Sequence, residues 1–228
     1  MKRSLDVIIA VTALLLMLPL LLVIALTIKL DSRGPILYRV RRVGFRGEPL
    51  SMLKFRKMHL HAIGAPLTAS ADPRLTRVGK LLTRTRLDEL PQLWHVVSGR
   101  MSIVGPRPED PAFALLHPEA YTAILSVRPG ITGLSQLAFA AERQILGDQD
   151  PVGKYVGRIL PQKVVLDALY AESYGLRWDL SVIFWTMVTV ILGKQVAVHR
   201  ATGEMNLRRR PLRARMSGEA VSVLPEAA

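Results

Sequence analysis

Residues 7–28 read VIIAVTALLLMLPLLLVIALTI, an uncharged run in which only Thr12 and Thr27 carry polar side chains. It is long enough to cross a hydrocarbon core as a helix. A cleaved leader is a poor description, because the apolar run exceeds an ordinary leader core and no small-x-small site follows it before Lys29. Pro19 falls near its centre, where it removes a backbone hydrogen bond and presses its ring on the preceding turn, so a kink or reversal is expected there. Lys2 and Arg3 precede the run, while Lys29, Arg33, Arg39, Arg41, Arg42 and Arg46 follow it. Both ends therefore favour the cytoplasmic leaflet. A broken helix that enters and leaves by one face satisfies both, but composition alone leaves span and hairpin open, since ordinary spanning helices tolerate proline.

Outward from this segment, residues 34–58, GPILYRVRRVGFRGEPLSMLKFRKM, alternate apolar and basic positions around Gly44 and Gly47. They read as a strand, a turn and a second strand lying on the membrane surface. Residues 60–72 read as a loop. The stretch DPRLTRVGKLLTRTRLDEL (72–90) spaces Arg and Lys among Leu and Val at helical period, giving a helix suited to anionic headgroups. Thr85 followed by Asp88 resembles a capping box, opening a short helix from Leu90 to Val97 that Ser98-Gly99 ends. GPRPEDP (105–111) is irregular because prolines fix φ and remove donors. Residues 112–126 read as one helix and RPGITG (128–133) as a turn, with a weakly patterned polar stretch to about 160. A last helix is expected from Gln162 to Leu192, bent at Gly175, whose apolar run from Leu180 is too short to span and suits an interfacial or core position. Trp178 and Trp185 fit an interfacial depth. From Lys194 the chain loses periodicity, and a tail with Arg208, Arg209, Arg210, Arg213 and Arg215 reads as disordered and membrane-attracted.

The division expected is a membrane helix at 1–30, a catalytic domain at 31–193 and a basic tail at 194–228. With 228 residues, half of them hydrophobic, and a net charge of +13, the chain suits one catalytic domain plus a membrane element with phosphorylated or anionic-lipid partners. Nucleic acid is disfavoured, because aromatics make up only 6% and no zinc-finger or RNP-type pattern accompanies the charge. The absence of cysteine rules out disulfides, thiolate metal sites and a Cys nucleophile.

The chemistry gathers in TRLDELPQLWHVVSGRMSIVGPRP (85–108). Adjacent carboxylates at a helix start are usually caps, but phosphoryl transfer needs a nucleophile, a divalent cation and fixed positive groups, and this segment can supply all three. Asp88 suits attack on phosphorus or hard-cation ligation, and Glu89 can take a proton or complete the cation's shell. Pro106 and Pro108 restrict the backbone of Arg107, so its guanidinium is presented to phosphate at low entropic cost. Lys54 and Arg56 fall on one face of a strand and could hold a diphosphate. The histidines show no metal-ligand spacing beyond His59-x-His61. No dinucleotide fingerprint, P-loop or nucleophile elbow is present.

The set KFRKM (54–58), DPRLTRVGKLL (72–82), LDELPQLW (87–94), SGRMSIVGPRP (98–108) and RPGITGLSQ (128–136), with Lys163, Asp167, Tyr170, Ser173, Asp179 and Thr186, resembles the bacterial sugar transferase family, the monotopic phosphoglycosyl transferases. The match runs from Lys2 to about Leu192. It implies an α+β, mainly helical fold: a re-entrant membrane helix-hairpin broken at Pro19, then a small cytosolic domain with interfacial helices and a short β-hairpin. It implies transfer of a sugar 1-phosphate from a UDP-sugar to a polyprenyl phosphate such as undecaprenyl phosphate, releasing UMP, on the cytosolic face of a bacterial inner membrane. Asp88 would form a covalent phosphosugar intermediate, Mg²⁺ would sit at Asp88 and Glu89, and Arg107 would hold phosphate. A homodimer is compatible with this.

Departures from the pattern are Leu18 where serine often precedes the proline, His95 where asparagine is common, and Thr83 and Arg86 in place of Arg and Ser. Larger relatives carry further transmembrane helices and a nucleotide-fold domain in front, which these 228 residues are expected to do without. The rival reading, a single-pass basic anchoring protein without catalysis, gives no reason for GPRP.

Overall fold

A computed structural model describes residues 2–60, 62, 72–147 and 150–208. The apolar segment forms α1 (Lys2–Asp31), which continues through Pro19 without interruption. The expected break is therefore not a separation into two helices. Both ends of α1 are docked on the same body: Asp6 and Ala10 near its start, and Ile24 and Ile28 near its end, are buried. Between them the side chains are open, with Leu16 76% and Leu22 63% exposed.

The 34–58 segment forms the expected hairpin. Strand β1 (Leu37–Val43) pairs antiparallel with β2 (Pro49–Phe55), with Leu37 opposite Phe55 and Val43 opposite Pro49. Helix α2 (Arg77–Thr85) is shorter than its sequence period suggested, and its cap is Thr76, whose side chain accepts from the Gly79 N–H. The capping box at Thr85 is corrected: the Thr85 hydroxyl donates back to Leu81 O at 2.9 Å, and Arg86 turns left-handed at φ 59°. Asp88 and Glu89 then open a 3₁₀ turn (Leu87–Gln92) that runs into α3 (Leu93–Val97), which Ser98 and Gly99 close.

RPGITG is not only a turn. β3 (Ser102–Val104) pairs in parallel with Gly130–Thr132, here β4. The close approach explains the glycines on either side: a Cβ on Gly105 would lie 2.4 Å from Arg128 O, and one on Gly130 would lie 2.1 Å from Gly105 N. The helix expected over 112–126 is two helices, α4 (Pro111–Ala114) and α5 (Pro118–Ile124), because Pro118 starts a new first turn. The polar stretch to 160 contains α6 (Leu134–Ala138), α7 (Glu142–Leu146), α8 (Pro151–Lys154) and a π-turn (Tyr155–Ile159) that leads into α9 (Leu160–Ser173). The bend expected at Gly175 is the break between α9 and α10 (Leu176–Leu192).

Disorder from residue 194 is corrected as well. β5 (Val196–Val198) and β6 (Met205–Leu207) form an antiparallel hairpin, and Gly203 in its turn faces the Trp178 ring. Trp178 and Trp185 are half-buried against the core. The arginines at 209, 210, 213 and 215 lie outside the described residues. The main core joins α3, β3, α5, α6, α9 and the π-turn through Val96, Val104, Ile124, Leu134, Ile159 and Leu166, all buried. A second cluster pins the end of α1 to the domain through Ile24, Ile28, Phe55 and Leu82.

Candidate active site

The 3₁₀ turn after α2 lies against β2 and carries Asp88 and Glu89 into a cleft of about 910 Å³. Asp88 is only 4% exposed, and the Lys57 ammonium donates to its Oδ2 at 3.1 Å. Glu89 is held by two cations: Lys54 Nζ lies 2.8 Å from Oε1, and Arg107 Nη2 lies 2.6 Å from the same oxygen. Burial pushes the Glu89 carboxyl up, but the charges and hydrogen bonds of Arg107 and Lys54 outweigh it and hold the group well below the usual range. The Glu89 charge in turn keeps Arg107 protonated against its own burial. Burial lowers Lys54, and Glu89 opposes the shift. The result is a basic cleft in which the Glu89 carboxylate stays ionised at neutral pH.

Four of the five residues expected at the site therefore meet: Asp88, Glu89, Lys54 and Arg107. Arg56 does something else. Its guanidinium donates to Pro35 O at 2.6 Å, Ser32 O at 2.8 Å, Ser32 Oγ at 2.8 Å and Arg33 O at 2.9 Å, closing the exit from α1. The expected pairing of Lys54 with Arg56 assumed that the strand alternation continued, but β2 ends at Phe55. Beyond it the backbone turns, and Lys57 reaches Asp88 instead. Lys57 was missed for that reason, although it lies inside the KFRKM motif.

The Pro106-Arg107-Pro108 stretch has a single backbone N–H, that of Arg107, and Asp167 accepts it. Burial raises the Asp167 carboxyl to about 7 against the Ser135 and Lys163 contacts that lower it. Other family-like positions build a second network away from the cleft. Tyr170 OH donates to Asp179 at 2.5 Å and lies 3.1 Å from Val104 O, and Lys2 Nζ lies 2.5 Å from Asp179. Thr186 and Thr132 hydroxyls meet at 2.7 Å. Asp6 adds a link that the sequence did not advertise, accepting from Ser102 Oγ at 2.8 Å and Ile103 N at 3.1 Å. His95 is a core residue: it is 3% exposed, its Nε2 accepts from Leu53 N at 3.0 Å, and burial lowers its basicity.

Among the described residues, no group of three or more His, Cys, Asp or Glu side chains converges, so the protein alone builds no closed metal cage. The adjacent carboxylates of Asp88 and Glu89 on the cleft wall fit a different kind of ion. Mg²⁺ keeps several waters and binds through one or two carboxylates plus substrate phosphates.

This order of motifs around one cleft has known counterparts. The family model for bacterial sugar transferases matches residues 1–193. The chain belongs to the bacterial sugar transferase family. Its relatives in that family include a UDP-glucose:undecaprenyl-phosphate glucose-1-phosphate transferase of Caulobacter vibrioides, 38% identical over 196 residues that make up 83% of this chain and 69% of the relative. An undecaprenyl-phosphate glucose phosphotransferase of Komagataeibacter xylinus is also 38% identical, over 85% of this chain but 36% of its own length. A UDP-N-acetylgalactosamine-undecaprenyl-phosphate N-acetylgalactosaminephosphotransferase of Aeromonas hydrophila is 36% identical over 84% of this chain and 44% of its own. The chain thus spans less than half the length of two of these sugar transferases. The β5–β6 hairpin lies beyond the family match.

Proposed function

We propose that this chain transfers a sugar 1-phosphate from a UDP-sugar to a polyprenyl phosphate such as undecaprenyl phosphate, releasing UMP, at the cytosolic face of a bacterial inner membrane. The observation that carries this reading is the buried Asp88 carboxylate, steadied by Lys57 and placed beside the Lys54–Glu89–Arg107 triad in a basic cleft. The relatives' printed names, which pair UDP-sugars with undecaprenyl phosphate, support the same chemistry.

Asp88 attacks the phosphorus that bears the sugar. A bond forms between its carboxylate oxygen and that phosphorus while the bond to the oxygen of the UMP phosphate breaks. UMP leaves, and the sugar phosphate remains on Asp88 as an acyl phosphate. A phosphate oxygen of the polyprenyl phosphate then attacks the same phosphorus, the bond to Asp88 breaks, and the carboxylate returns with the sugar on a lipid diphosphate. Lys57 holds one Asp88 oxygen and so orients the other. In this reading Arg107 and Lys54 answer the charge that develops on the phosphate oxygens, and their shared contact with Glu89 sets the position of both. Mg²⁺, held by Asp88 and Glu89, would neutralise phosphate charge between the two anions.

The monotopic topology rests on α1. A straight helix of 30 residues is about 45 Å long, well over the ~30 Å hydrocarbon core. Yet one polar domain grips it at Asp6 and again at Ile28. A spanning helix would place those grips on opposite sides of the bilayer, and a single domain cannot occupy both.

Purified protein with Mg²⁺, a UDP-sugar and polyprenyl phosphate is expected to release UMP, and Asp88→Asn should cut this by at least about a thousandfold. Intact-protein mass measured with the UDP-sugar alone should show a phosphosugar adduct on the wild type and none on Asp88→Asn. Unchanged turnover in the variant would remove Asp88 as the nucleophile.

A further inference from the structure

The cleft opens beside the end of α1. Arg56 ties Ser32, Arg33 and Pro35 into the turn that follows α1, and its backbone N–H donates to Ile36 O at 2.9 Å. The preceding residue, Phe55, is buried with Ile24 and Ile28 from the last turns of α1. The open end of the β1–β2 hairpin is therefore fixed on the end of the apolar helix.

Two apolar side chains stand open on this part of the cleft wall. Tyr38 is 60% exposed and Leu60 is 47% exposed. Leu60 lies against the turn after α1, since a Cβ on Gly34 would meet its Cδ1 at 2.8 Å. Tyr38 is directly opposite Lys54 in the hairpin, so the two side chains share a face with their Cβ atoms about 5 Å apart. The Lys54 ammonium is already on Glu89. Leu60 thus marks the α1 end of the cleft, and Tyr38 marks the approach to the catalytic carboxylates. The other aromatic side chains on the cleft wall among the described residues, Phe55, Phe139 and Tyr155, are buried. Tyr38 is the one ring that an occupant can lie against.

The greasy flank of α1 continues to this mouth, because Leu26 and Leu30 in its last turns are 60% and 78% exposed. Positive charge borders it as well: Arg39 and His59 line the same stretch, and both are exposed. The acidic side chains of this corner are engaged, Asp31 by the Val78 N–H at 3.1 Å and Asp72 by the Arg74 guanidinium at 2.6 Å. An apolar mouth with a basic rim, continuous with an exposed apolar helix, suits a phosphate that carries a hydrocarbon chain. A nucleobase would need hydrogen-bonding partners for its edge as well as a ring to stack on, and Leu60 offers none.

We infer that Tyr38 and Leu60 form the acceptor gate of the cleft, where the first isoprene units of the polyprenyl phosphate pass from the bilayer and lead its phosphate to Asp88. This rests on the transferase reading and the monotopic topology above, and it assigns the lipid end of that same cleft. Tyr38 and Leu60 touch the hydrocarbon chain and not the reacting atoms. Their contribution is apolar burial of the chain, so it belongs to the second displacement alone.

The two displacements can be read separately. In a double-displacement scheme kcat/KM for the UDP-sugar reports the steps up to UMP departure, and kcat/KM for the polyprenyl phosphate reports only the steps after it. The test measures both constants, with UDP-glucose, UDP-galactose or UDP-N-acetylgalactosamine as donor, for the wild type, Tyr38→Ser, Leu60→Gln and Tyr38→Phe. Tyr38→Ser and Leu60→Gln are expected to lower kcat/KM for the polyprenyl phosphate by about tenfold and to change that for the UDP-sugar by less than about twofold. Tyr38→Phe keeps the apolar ring and should restore the acceptor constant to near the wild-type value. Both constants unchanged in Tyr38→Ser and Leu60→Gln, or both lowered in parallel, overturns the gate. A loss confined to the UDP-sugar constant assigns Tyr38 to the nucleotide and also overturns it. No UMP release by the wild type from any of the three donors overturns the transferase reading itself.

Discussion

Glu89 shows how a buried carboxylate is kept charged. Burial favours its neutral form, and two cations within 2.8 Å reverse the balance. Removing one of them should let burial prevail. Arg107→Gln is expected to move the acid limb of the kcat/KM profile to higher pH and to lower activity at neutral pH by at least about tenfold, read from initial rates across pH 5–9. The sign follows from linkage. A depressed carboxyl lends stability above its unfolded pKa and loses it as pH falls through the folded value, so the wild type should withstand mild acid better than the variant. At this scale the sequence was legible for residues whose role follows from chemical type, such as Asp88, Glu89 and Arg107. It was not legible where the backbone chose the direction. Arg56 and Lys57 are neighbours with the same charge, and the end of β2 at Phe55 decides which caps α1 and which meets Asp88.

Elements in this fold are held by close backbone approaches that leave no room for a side chain. A Cβ on Gly79 of α2 would lie 1.9 Å from Lys57 O, so the helix start and the residue that steadies Asp88 are in direct contact. Gly79→Ala should displace the Lys57 backbone and lower UMP release by about tenfold or more, with a reduced melting temperature. Lys57→Met should match the loss of activity while leaving melting nearly unchanged, which separates the positional effect from global destabilisation. The elements themselves were partly readable. Hairpin β1–β2 and the break at Gly175 followed from alternation and from a single glycine. The β3–β4 pair did not, because each strand has only three residues and parallel pairing depends on contacts between segments more than twenty residues apart, which no local pattern records. Likewise, Val196–Val198 and Met205–Leu207 are too short to announce themselves beside so much arginine.

For the molecule as a whole, α1 is the organising member. Its first turn is tied to β3 through Asp6 and to α10 through Lys2 and Asp179, and its last turns are tied to α2 and β2 through Asp31, Ile24 and Ile28. The exposed apolar side chains of α1 and of α10, such as Leu16 and Ile191, give the domain a greasy side suited to lipid. Single cysteines placed at Ser4 and Arg33 should both react with a membrane-impermeant thiol reagent from the cytosolic side of inverted vesicles and not from the opposite side. Labelling from opposite faces would restore the spanning model. The long apolar helix was evident from composition, whereas its double anchorage depends on Asp6, a buried charge beside an apolar run that no sequence pattern singled out.

That double anchorage has a mechanical consequence. In the proposed monotopic arrangement, α1 adds its volume to one leaflet and nothing to the other, so each bound molecule acts as a wedge. It should crowd the cytosolic leaflet, prefer regions where that leaflet is loosely packed, and leave its product with the sugar on the side from which the carrier was taken. A helix pinned at both ends to one surface cannot follow its product to the other.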